Sequence, residues 1–161
     1  IDELLTAGGM TAIMYSVSLT IAAMMFGGIL EKTGQMEALM KPVLKRLKSD
    51  GSLIAATIAS CIATNMMLPE QYISIVVPGR MYADAYRERG LHPKNLSRAL
   101  EDGGTITSVL VPWNTCGAFM KSILGISAVA YGPWAFLNYI NPIVSIIYGF
   151  TGFTIEKIDK A

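Results

Sequence analysis

Two polar breaks interrupt apolar stretches of this sequence, and both carry oxygen-bearing side chains. The first places Thr64 and Asn65 ahead of a proline and Glu70, and the second places Asn114 and Thr115 after a Pro-Trp pair. Where a membrane helix unwinds, its freed carbonyl groups can coordinate a bare cation. Sodium is a hard ion that prefers oxygen ligands. We therefore predict that Asn65, Glu70, Asn114 and Thr115 bind Na⁺, with Thr64 beside them.

Glu70 is the candidate with the clearest chemistry. A charged carboxylate inside a bilayer costs roughly 2.5–3.5 kcal/mol, so a proton, a cation or a fixed partner must compensate for it. A proton and a sodium ion would then compete for one carboxylate. If only the occupied site re-orients across the membrane, this competition becomes obligatory exchange. The alternatives are an ion pair with Lys121 or a position at a hairpin tip exposed to water.

Further polar residues near the two breaks are candidate ion or substrate ligands: Gln71, Asp102, Thr105, Thr107 and Trp113. Asp102 is either a helix cap or a second ligand at the mouth of a cavity. Thr107 is either a ligand or a residue that bonds back to its own helix. Cys61 and Cys116 lie in apolar runs without a neighbouring histidine, which favours packing over a disulfide or a metal site.

The elements that position these residues are predicted to be apolar helices. Hydrophobic residues make up 52% of the chain and charged residues 16%, and the mean hydropathy is +0.45. Charges are absent from residues 4–30, 51–69, 103–120 and 122–155, and a membrane-spanning helix needs about 20 apolar residues. We therefore predict an all-α integral membrane protein rather than a soluble globule. Nucleic-acid binding is not expected, because the basic residues flank apolar stretches.

Apolar periodicity and charge predict about three transmembrane helices, one of them interrupted. In chain order, the predicted elements are a span at 10–30, an interfacial amphipathic helix at 35–48, a re-entrant hairpin at 51–79, a cytoplasmic loop at 80–102, an interrupted span at 104–124 and a span at 134–153. The segments before and after the hairpin, 31–50 and 80–102, each hold five Lys and Arg residues. The positive-inside rule places such segments on one side of the membrane. This favours a hairpin over a broken crossing helix and places the C-terminus in the cytoplasm.

The chain begins at Ile1 without a leader-like segment, and we expect it to be part of a longer transporter. The expected partners are the lipid bilayer, a missing N-terminal part and a small cation, with a small carboxylate and a homodimer left open. We expect Na⁺ and H⁺ as transported ions and no cofactor.

Several segments resemble the NhaC-type Na⁺/H⁺ antiporter family: EQYISIVVPGRM (70–81), LSRALEDGGT (96–105), PWNTCGA (112–118), NYINP (138–142) and YGFTGF (148–153). The resemblance covers the whole chain but only the C-terminal third or so of a family member. It implies a plasma-membrane transporter that exchanges Na⁺ for H⁺, or a relative that exchanges sodium and lactate against protons and malate. It also implies a transporter built from two inverted repeats, each with a hairpin and an unwound helix. This chain would form one half of that inverted-repeat arrangement. The family pattern has aspartate where this chain has Glu70, which bears on ion geometry or substrate choice.

Two other functions stay open. In a sodium-coupled organic-acid antiporter, Arg80 or the N-terminus of an interrupted helix would hold the substrate carboxylate. The chain could instead be a non-transporting membrane subunit or a membrane enzyme. An intramembrane protease needs a Ser/His pair or paired aspartates in its spans, whereas His92 lies in a predicted loop and Glu70 stands alone. We therefore predict a transporter rather than an enzyme.

Overall fold

The computed structural model describes residue 47, residues 49–158 and scattered positions between 10 and 34. The described positions inside the predicted span at 10–30 are helical. The predicted interfacial helix at 35–48 lies outside the described residues except at position 47. The described part of the chain is helical, with one isolated antiparallel bridge between Leu91 and Lys157. The prediction of an all-helical chain is confirmed for this part.

The first continuous helix, α1, comprises Asp50–Met67. The Ser49 hydroxyl accepts a hydrogen bond from the Ser52 N–H at 3.1 Å, and the Ser52 hydroxyl accepts one from the Ser49 N–H at 3.0 Å. Such reciprocal capping satisfies N–H groups that the start of a helix leaves unpaired. Helix α1 ends where Leu68 adopts an extended conformation, because the following Pro69 disfavours the α-helical region for that residue.

Helix α2 (Gln71–Glu88) returns antiparallel to α1. The Tyr82 hydroxyl lies 2.8 Å from the Ser60 hydroxyl, and the Tyr86 hydroxyl lies 3.2 Å from that of Thr57. From Tyr82 to Tyr86 the contact moves one turn forward along α2, while its partner moves about one turn back along α1, from Ser60 to Thr57. The two helices are therefore antiparallel. The two helices form a hairpin, and the first polar break lies at its tip.

The far end of this hairpin differs from the predicted boundary. The sequence predicts a loop at 80–102, whereas α2 continues to Glu88 with Pro78 inside it. Tyr82 and Tyr86 recur at helical spacing and are buried. Because packing of one face supplies most of the stability of a helix in a folded protein, this buried face sustains α2 beyond the proline and through its charged neighbours.

The remainder of the predicted loop is also largely helical. Helix α3 (Pro93–Leu100) begins at His92, whose Nδ1 accepts a hydrogen bond from the Lys94 N–H. A π-helical turn (Glu101–Thr105) follows and continues directly into the short helix α4 (Ile106–Ser108). Most of the charged residues of this region therefore lie on helices, with Arg89 just after the end of α2.

Helix α4 ends at an irregular segment, residues 109–114, and α5 (Thr115–Leu124) follows. This segment is the second polar break, in the part of the chain that the sequence predicts as an interrupted span at 104–124. The helical run that enters the break begins earlier than predicted, at Pro93.

Three further elements complete the described fold. They are α6 (Ala128–Tyr131), a 3-10 turn (Gly132–Trp134) and α7 (Phe136–Thr151). Helix α7 ends at Gly152, which adopts a left-handed conformation (φ 75°) that favours glycine. Helix α7 lies in the segment for which the sequence predicts a span at 134–153.

The main hydrophobic core lies between α1 and α2 and extends to α3. Its buried residues are Leu53, Ile54, Ile58, Tyr82, Tyr86, Leu91 and Ala99. By contrast, α7 exposes one apolar face, whose side chains are Leu137, Ile140, Ile143, Ile147 and Phe150. In the part of the chain that the structure describes, no helix has both the length and the apolar character needed to cross a membrane.

Candidate ion site at two helix breaks

The tip of the α1–α2 hairpin contributes the first part of the site. Asn65 is fully buried and lies in the last turn of α1. Glu70 occupies the N-cap position of α2, and its side chain makes no capping hydrogen bond. The chain reverses direction between these two residues, so an amide and a carboxylate come from two helices at one turn.

The second break lies directly against the first. The Thr115 N–H donates a hydrogen bond to the Pro69 carbonyl at 2.7 Å, and Trp113 Nε1 donates to the Met66 carbonyl at 2.9 Å. The last carbonyl groups of a helix have no partner within it, so the Trp113 bond satisfies one that the end of α1 leaves free. The two breaks therefore form one structural unit, although they are distant in sequence.

Asn65 connects three segments within this unit. Its Nδ2 donates to the Gly104 carbonyl at 2.7 Å and to Thr107 Oγ1 at 3.1 Å, and its Oδ1 accepts from Asn114 Nδ2 at 3.4 Å. Asn114 is also fully buried and caps α5 by accepting a hydrogen bond from the Cys116 N–H. Because buried amides are costly unless they are satisfied, these bonds fix the positions of α1, the π turn and the second break.

Two glycines allow the π turn to approach the hairpin closely. A Cβ atom on Gly103 would lie 2.9 Å from the Ile58 Cα atom, and one on Gly104 would lie 2.9 Å from Ile75 Cγ1. Carbon atoms in contact normally lie about 3.5–4.0 Å apart. The missing side chains therefore allow the Gly104 carbonyl to reach Asn65. Such π turns within α-helices frequently occur at functional sites.

Two buried side-chain oxygens in these segments, Glu70 Oε2 and Thr105 Oγ1, have no hydrogen-bond partner among the described residues. An unsatisfied buried polar atom costs about 1–3 kcal/mol. Lys121 is exposed on α5 and does not satisfy Glu70 Oε2. A proton or a cation would compensate for both the charge of the carboxylate and its missing partner.

The other predicted residues make contacts of their own. The Thr64 hydroxyl bonds back to α1 and donates to the carbonyl one turn earlier, at 2.7 Å. The Thr107 hydroxyl likewise donates to the Gly103 carbonyl, at 2.5 Å. The Cys116 thiol donates to Gln71 Oε1 at 2.9 Å. This last contact ties the first turn of α2 to the first turn of α5.

Asp102 has a different role from the helix cap that its sequence position allows, because the helical run that contains it begins at Pro93. Its Oδ1 accepts a hydrogen bond from Asn141 Nδ2 at 2.5 Å, and its Oδ2 lies 3.7 Å from Arg98 Nε. The Asp102 side chain is 13% exposed. The guanidinium group therefore compensates for a largely buried carboxylate.

Two amides of α7 reach the same region, and sequence analysis does not select them as ligands. Asn138 Nδ2 donates to the Ile106 carbonyl at 2.5 Å, and Asn141 donates to Asp102 as described. Their signal in the sequence is a pair of amides three residues apart, ahead of Pro142, in an otherwise apolar segment. Polar side chains at this spacing lie on one face of a helix.

A cleft of about 420 Å³ lies beside this unit, between α1, the end of α4 and α7. Its lining residues are Ile62, Met66, Thr107, Leu110, Val111, Asn138, Tyr139, Pro142, Ile143 and Ile146. Thr107 and Asn138 belong to both the cleft and the hydrogen-bonded unit. The polar unit therefore borders a largely apolar cleft.

The donor set at the breaks indicates which ion it could hold. Among the described residues, no group of three or more His, Cys, Asp or Glu side chains could bind a metal ion. The oxygens come instead from one carboxylate, from hydroxyls and amides, and from backbone carbonyl groups. Oxygen ligands with a single negative charge suit a hard cation of low charge rather than a transition metal.

Comparison with known proteins identifies the same family that the sequence motifs resemble. The sequence matches the Na⁺/H⁺ antiporter family model over residues 1–153. The Na⁺/H⁺ antiporter NhaC of Bacillus subtilis (strain 168) is 43% identical over 92% of this chain and 33% of the relative. NhaC of Alkalihalophilus pseudofirmus is 38% identical over 98% of the chain and 34% of the relative. The malate-2H⁺/Na⁺-lactate antiporter of B. subtilis is 34% identical over 94% of the chain and 32% of the relative.

The chain thus spans about a third of the length of the curated relatives that it matches. No solved structure matches it. The family match covers both helix breaks, including Glu70, and the amides of α7. The oxygen-rich unit therefore lies within the matched region, and the chain belongs to the Na⁺/H⁺ antiporter family.

Proposed function

We propose that the full-length protein that contains this chain exchanges Na⁺ for H⁺ across the plasma membrane by alternating access. The observation that carries the proposal is that Glu70 Oε2 is buried and has no hydrogen-bond partner among the described residues. The family membership and the NhaC relatives support the same activity.

The proposed sodium ligands are Asn65, Glu70, Asn114 and Thr115. Asn65 and Asn114 are fully buried and hydrogen-bonded to each other, and the Thr115 N–H is bonded to the turn that precedes Glu70. The residues proposed to surround them are Thr64, Gln71, Thr105, Thr107 and Trp113. The contacts of Gln71, Thr107 and Trp113 support the proposal, because each joins two of the segments at the breaks.

In the proposed mechanism, one site binds either sodium or a proton. Both ligands neutralise the Glu70 carboxylate, and the site without either holds an uncompensated charge. Re-orientation of the charged site across a bilayer is opposed by the cost of exposing that charge to a medium of low dielectric constant. The site therefore crosses only when it is occupied, which couples the two ion movements.

The proposed membrane arrangement follows from the ends of the helices. Arg89 Nη2 donates to the Leu47 carbonyl at 2.7 Å, and both Arg89 and Lys157 lie 3.6 Å from carboxylate oxygens of Asp50. The start of α1, the end of α2 and the C-terminal segment thus lie at one end of the structure. This supports a re-entrant hairpin at 51–79, with its flanking basic segments and the C-terminus in the cytoplasm.

The rest of this architecture extends the same proposal to the whole transporter. The segments at 10–30, 104–124 and 134–153 are proposed to cross the bilayer, the middle one as an interrupted helix. The chain is proposed to pair with an N-terminal part built as an inverted repeat, and a homodimer of the whole transporter remains a proposal.

The test is sodium-dependent proton movement in proteoliposomes that contain the full-length protein. Glu70→Gln removes the exchangeable charge and keeps the shape of the side chain, so we expect sodium-driven proton flux to fall at least 100-fold, to background. The matched control is Glu88→Gln, the same change at an exposed position of α2, which should leave the flux unchanged. Normal exchange in Glu70→Gln would refute the proposed mechanism.

A second candidate is exchange of sodium and an organic acid. It is supported by the similarity to the malate-2H⁺/Na⁺-lactate antiporter and by the cleft beside Thr107 and Asn138, which is much larger than a bare cation. Uptake of labelled lactate or malate under an imposed sodium gradient separates the two candidates. Uptake of the acid would favour the second, and sodium-dependent proton flux without it would favour the first.

A further inference from the structure

Helix α7 contacts the π turn and the residue that follows it through two amides. Asn138 binds the Ile106 carbonyl just after the turn, and Asn141 binds Asp102 within it, each at 2.5 Å. Asn65 of α1 binds the Gly104 carbonyl at 2.7 Å. Amides of two different helices therefore hold the turn that carries this carbonyl.

The π turn is a segment whose position depends on such contacts. Its i→i+5 hydrogen bonding is rare and appears mostly as single turns, and Gly103 and Gly104 add conformational freedom at its centre. Thr105 Oγ1, in the same turn, is buried without a partner among the described residues. Contacts from outside the turn are therefore needed to keep it against the hairpin.

The environment of Asp102 shows that its charge is already compensated. Its Oδ2 lies 3.7 Å from Arg98 Nε, and the Arg98 guanidinium carbon lies 5.1 Å from the centroid of the Tyr148 ring. Arg98 also donates to Thr154 Oγ1 at 2.6 Å. Glu70 Oε2 has no comparable partner. Of the two carboxylates, Glu70 is therefore the one left for an exchangeable cation.

We infer that Asn138 and Asn141 are positioning residues of the ion site: they clamp the π turn against the hairpin, and Asp102 anchors Asn141 rather than binding sodium. This inference rests on the proposed function, because it assigns the residues that keep that site in place. It assigns different roles to the two carboxylates: Glu70 is the exchanging group and Asp102 is a structural group.

The first test measures the sodium KM and the maximal rate of the full-length protein in proteoliposomes. Asn138→Ala and Asn141→Ala should each raise the sodium KM roughly 10-fold, as loss of a residue that orients a ligand does, with the maximal rate within about twofold of wild type. The matched control is Ser145→Ala, a buried polar position one turn further along α7, which should leave the KM unchanged.

The second test separates an anchor from a ligand. Asp102→Asn keeps an oxygen that can accept the Asn141 hydrogen bond but removes the charge, so the sodium KM should stay within about threefold of wild type, whereas Asp102→Ala should raise it roughly 10-fold. If Asp102→Asn abolished exchange as Glu70→Gln does, Asp102 would be an ion ligand and the inference would be overturned.

A readout independent of transport keeps the inference separate from the proposed function. Amide hydrogen exchange in residues 101–108 should be faster in Asn141→Ala than in wild type and unchanged in Ser145→Ala, because the clamp is lost in the first variant alone. Unchanged exchange in Asn141→Ala would overturn the clamp. Wild-type protein without sodium-dependent proton flux would instead refute the proposed function.

Discussion

The side chains of Asn65 and Asn114, which belong to two different helix breaks, face each other in the interior with Asn114 Nδ2 3.4 Å from Asn65 Oδ1. Both side chains are fully buried. Each amide satisfies the other only if both breaks keep their positions, because neither group has access to water. This contact therefore couples the tip of the α1–α2 hairpin to the start of α5.

The first prediction is that Asn65 and Asn114 stabilise the protein as a unit. Replacement of either by alanine leaves buried polar groups unsatisfied, at a cost of about 1–3 kcal/mol, and should lower the Tm in detergent by several degrees. In the double variant Asn65→Ala/Asn114→Ala, the decrease in Tm should be smaller than the sum of the decreases in the two single variants, because the second change removes a contact that is already broken.

The comparison for this cycle is Asn95, which lies on α3 and bonds to the C-terminal segment. Its Nδ2 binds the Glu156 carbonyl, so Asn95→Ala should lower the Tm additively with Asn65→Ala. If the decreases in Tm were also additive for Asn65→Ala and Asn114→Ala, the two breaks would be independent, and the contact between the two amides would not couple them.

The second prediction concerns the close approach of the π turn. In Gly103→Ala the new Cβ would lie 2.9 Å from the backbone of Ile58, which cannot move without shifting α1, and overpacking of this kind costs about 1–3 kcal/mol or more. In Gly104→Ala the nearest atom is Cγ1 of the Ile75 side chain rather than backbone, so the loss of Tm should be smaller.

Gly132 provides the matched control for these variants. An added Cβ would lie 3.4 Å from the Tyr139 hydroxyl, an ordinary contact distance. Gly132→Ala should therefore leave the Tm within about 2 °C of wild type, as substitutions without new strain do. A Gly103→Ala protein as stable as Gly132→Ala would show that the π turn does not lie against α1.

The hairpin and the two breaks are accessible to sequence reasoning because each is caused by local chemistry. Pro69 stops α1 at the preceding residue, and Asn114 is a favourable residue for the cap of α5. The identity of the polar side chains at the breaks then indicates an oxygen-rich site. Such features depend on a few neighbouring residues and can be recognised without the fold.

The features that sequence reasoning misses depend on contacts between distant segments. The buried faces of Tyr82 and Tyr86 extend α2 into a predicted loop, and the π turn forms where glycines approach α1. Asn138 and Asn141 gain a role only because α7 packs beside that turn. The helical spacing of these tyrosines and asparagines is visible in the sequence, but the segments that they contact are not, so the structure is required to find these contacts.

The third prediction concerns the C-terminal segment, which lies across the turn between α2 and α3. The His92 N–H donates to the Glu156 carbonyl at 3.0 Å, the Ile158 N–H donates to the Gly90 carbonyl at 2.7 Å, and Asn95 bonds both backbone groups of Glu156. Asn95→Ala removes a buried side chain that satisfies two backbone groups. Proteolytic cleavage within residues 152–158 should therefore become roughly 10-fold faster.

Lys157 provides a contrast within the same segment. Its ion pair with Asp50, at 3.6 Å, lies between side chains that are 68% and 34% exposed, and such pairs contribute little because water and salt screen them. Lys157→Ala should leave the cleavage rate within about twofold of wild type. A larger effect for Lys157→Ala than for Asn95→Ala would show that charge, rather than the backbone contacts, holds the segment.

The fourth prediction uses the two cysteines as reporters of sodium binding. Cys116 is half-buried, and its thiol donates to Gln71, next to Glu70, whereas Cys61 is fully buried in α1. A maleimide should therefore label Cys116 and spare Cys61. Because an ion bound by Glu70 would order the start of α2, Na⁺ should slow labelling of Cys116 several-fold, by lowering the population of open conformations.

Choline at the same concentration controls for ionic strength in this experiment, because it cannot be coordinated by the oxygens at the breaks, and it should leave the labelling rate unchanged. In Glu70→Gln the sodium effect should disappear while the rate without sodium stays close to that of wild type, since the contact between Cys116 and Gln71 is retained. Labelling that ignores sodium in a protein that still exchanges Na⁺ for H⁺ would place the ion away from Glu70. That outcome would reject the proposed site but leave the family assignment intact, because the assignment rests on the match over residues 1–153.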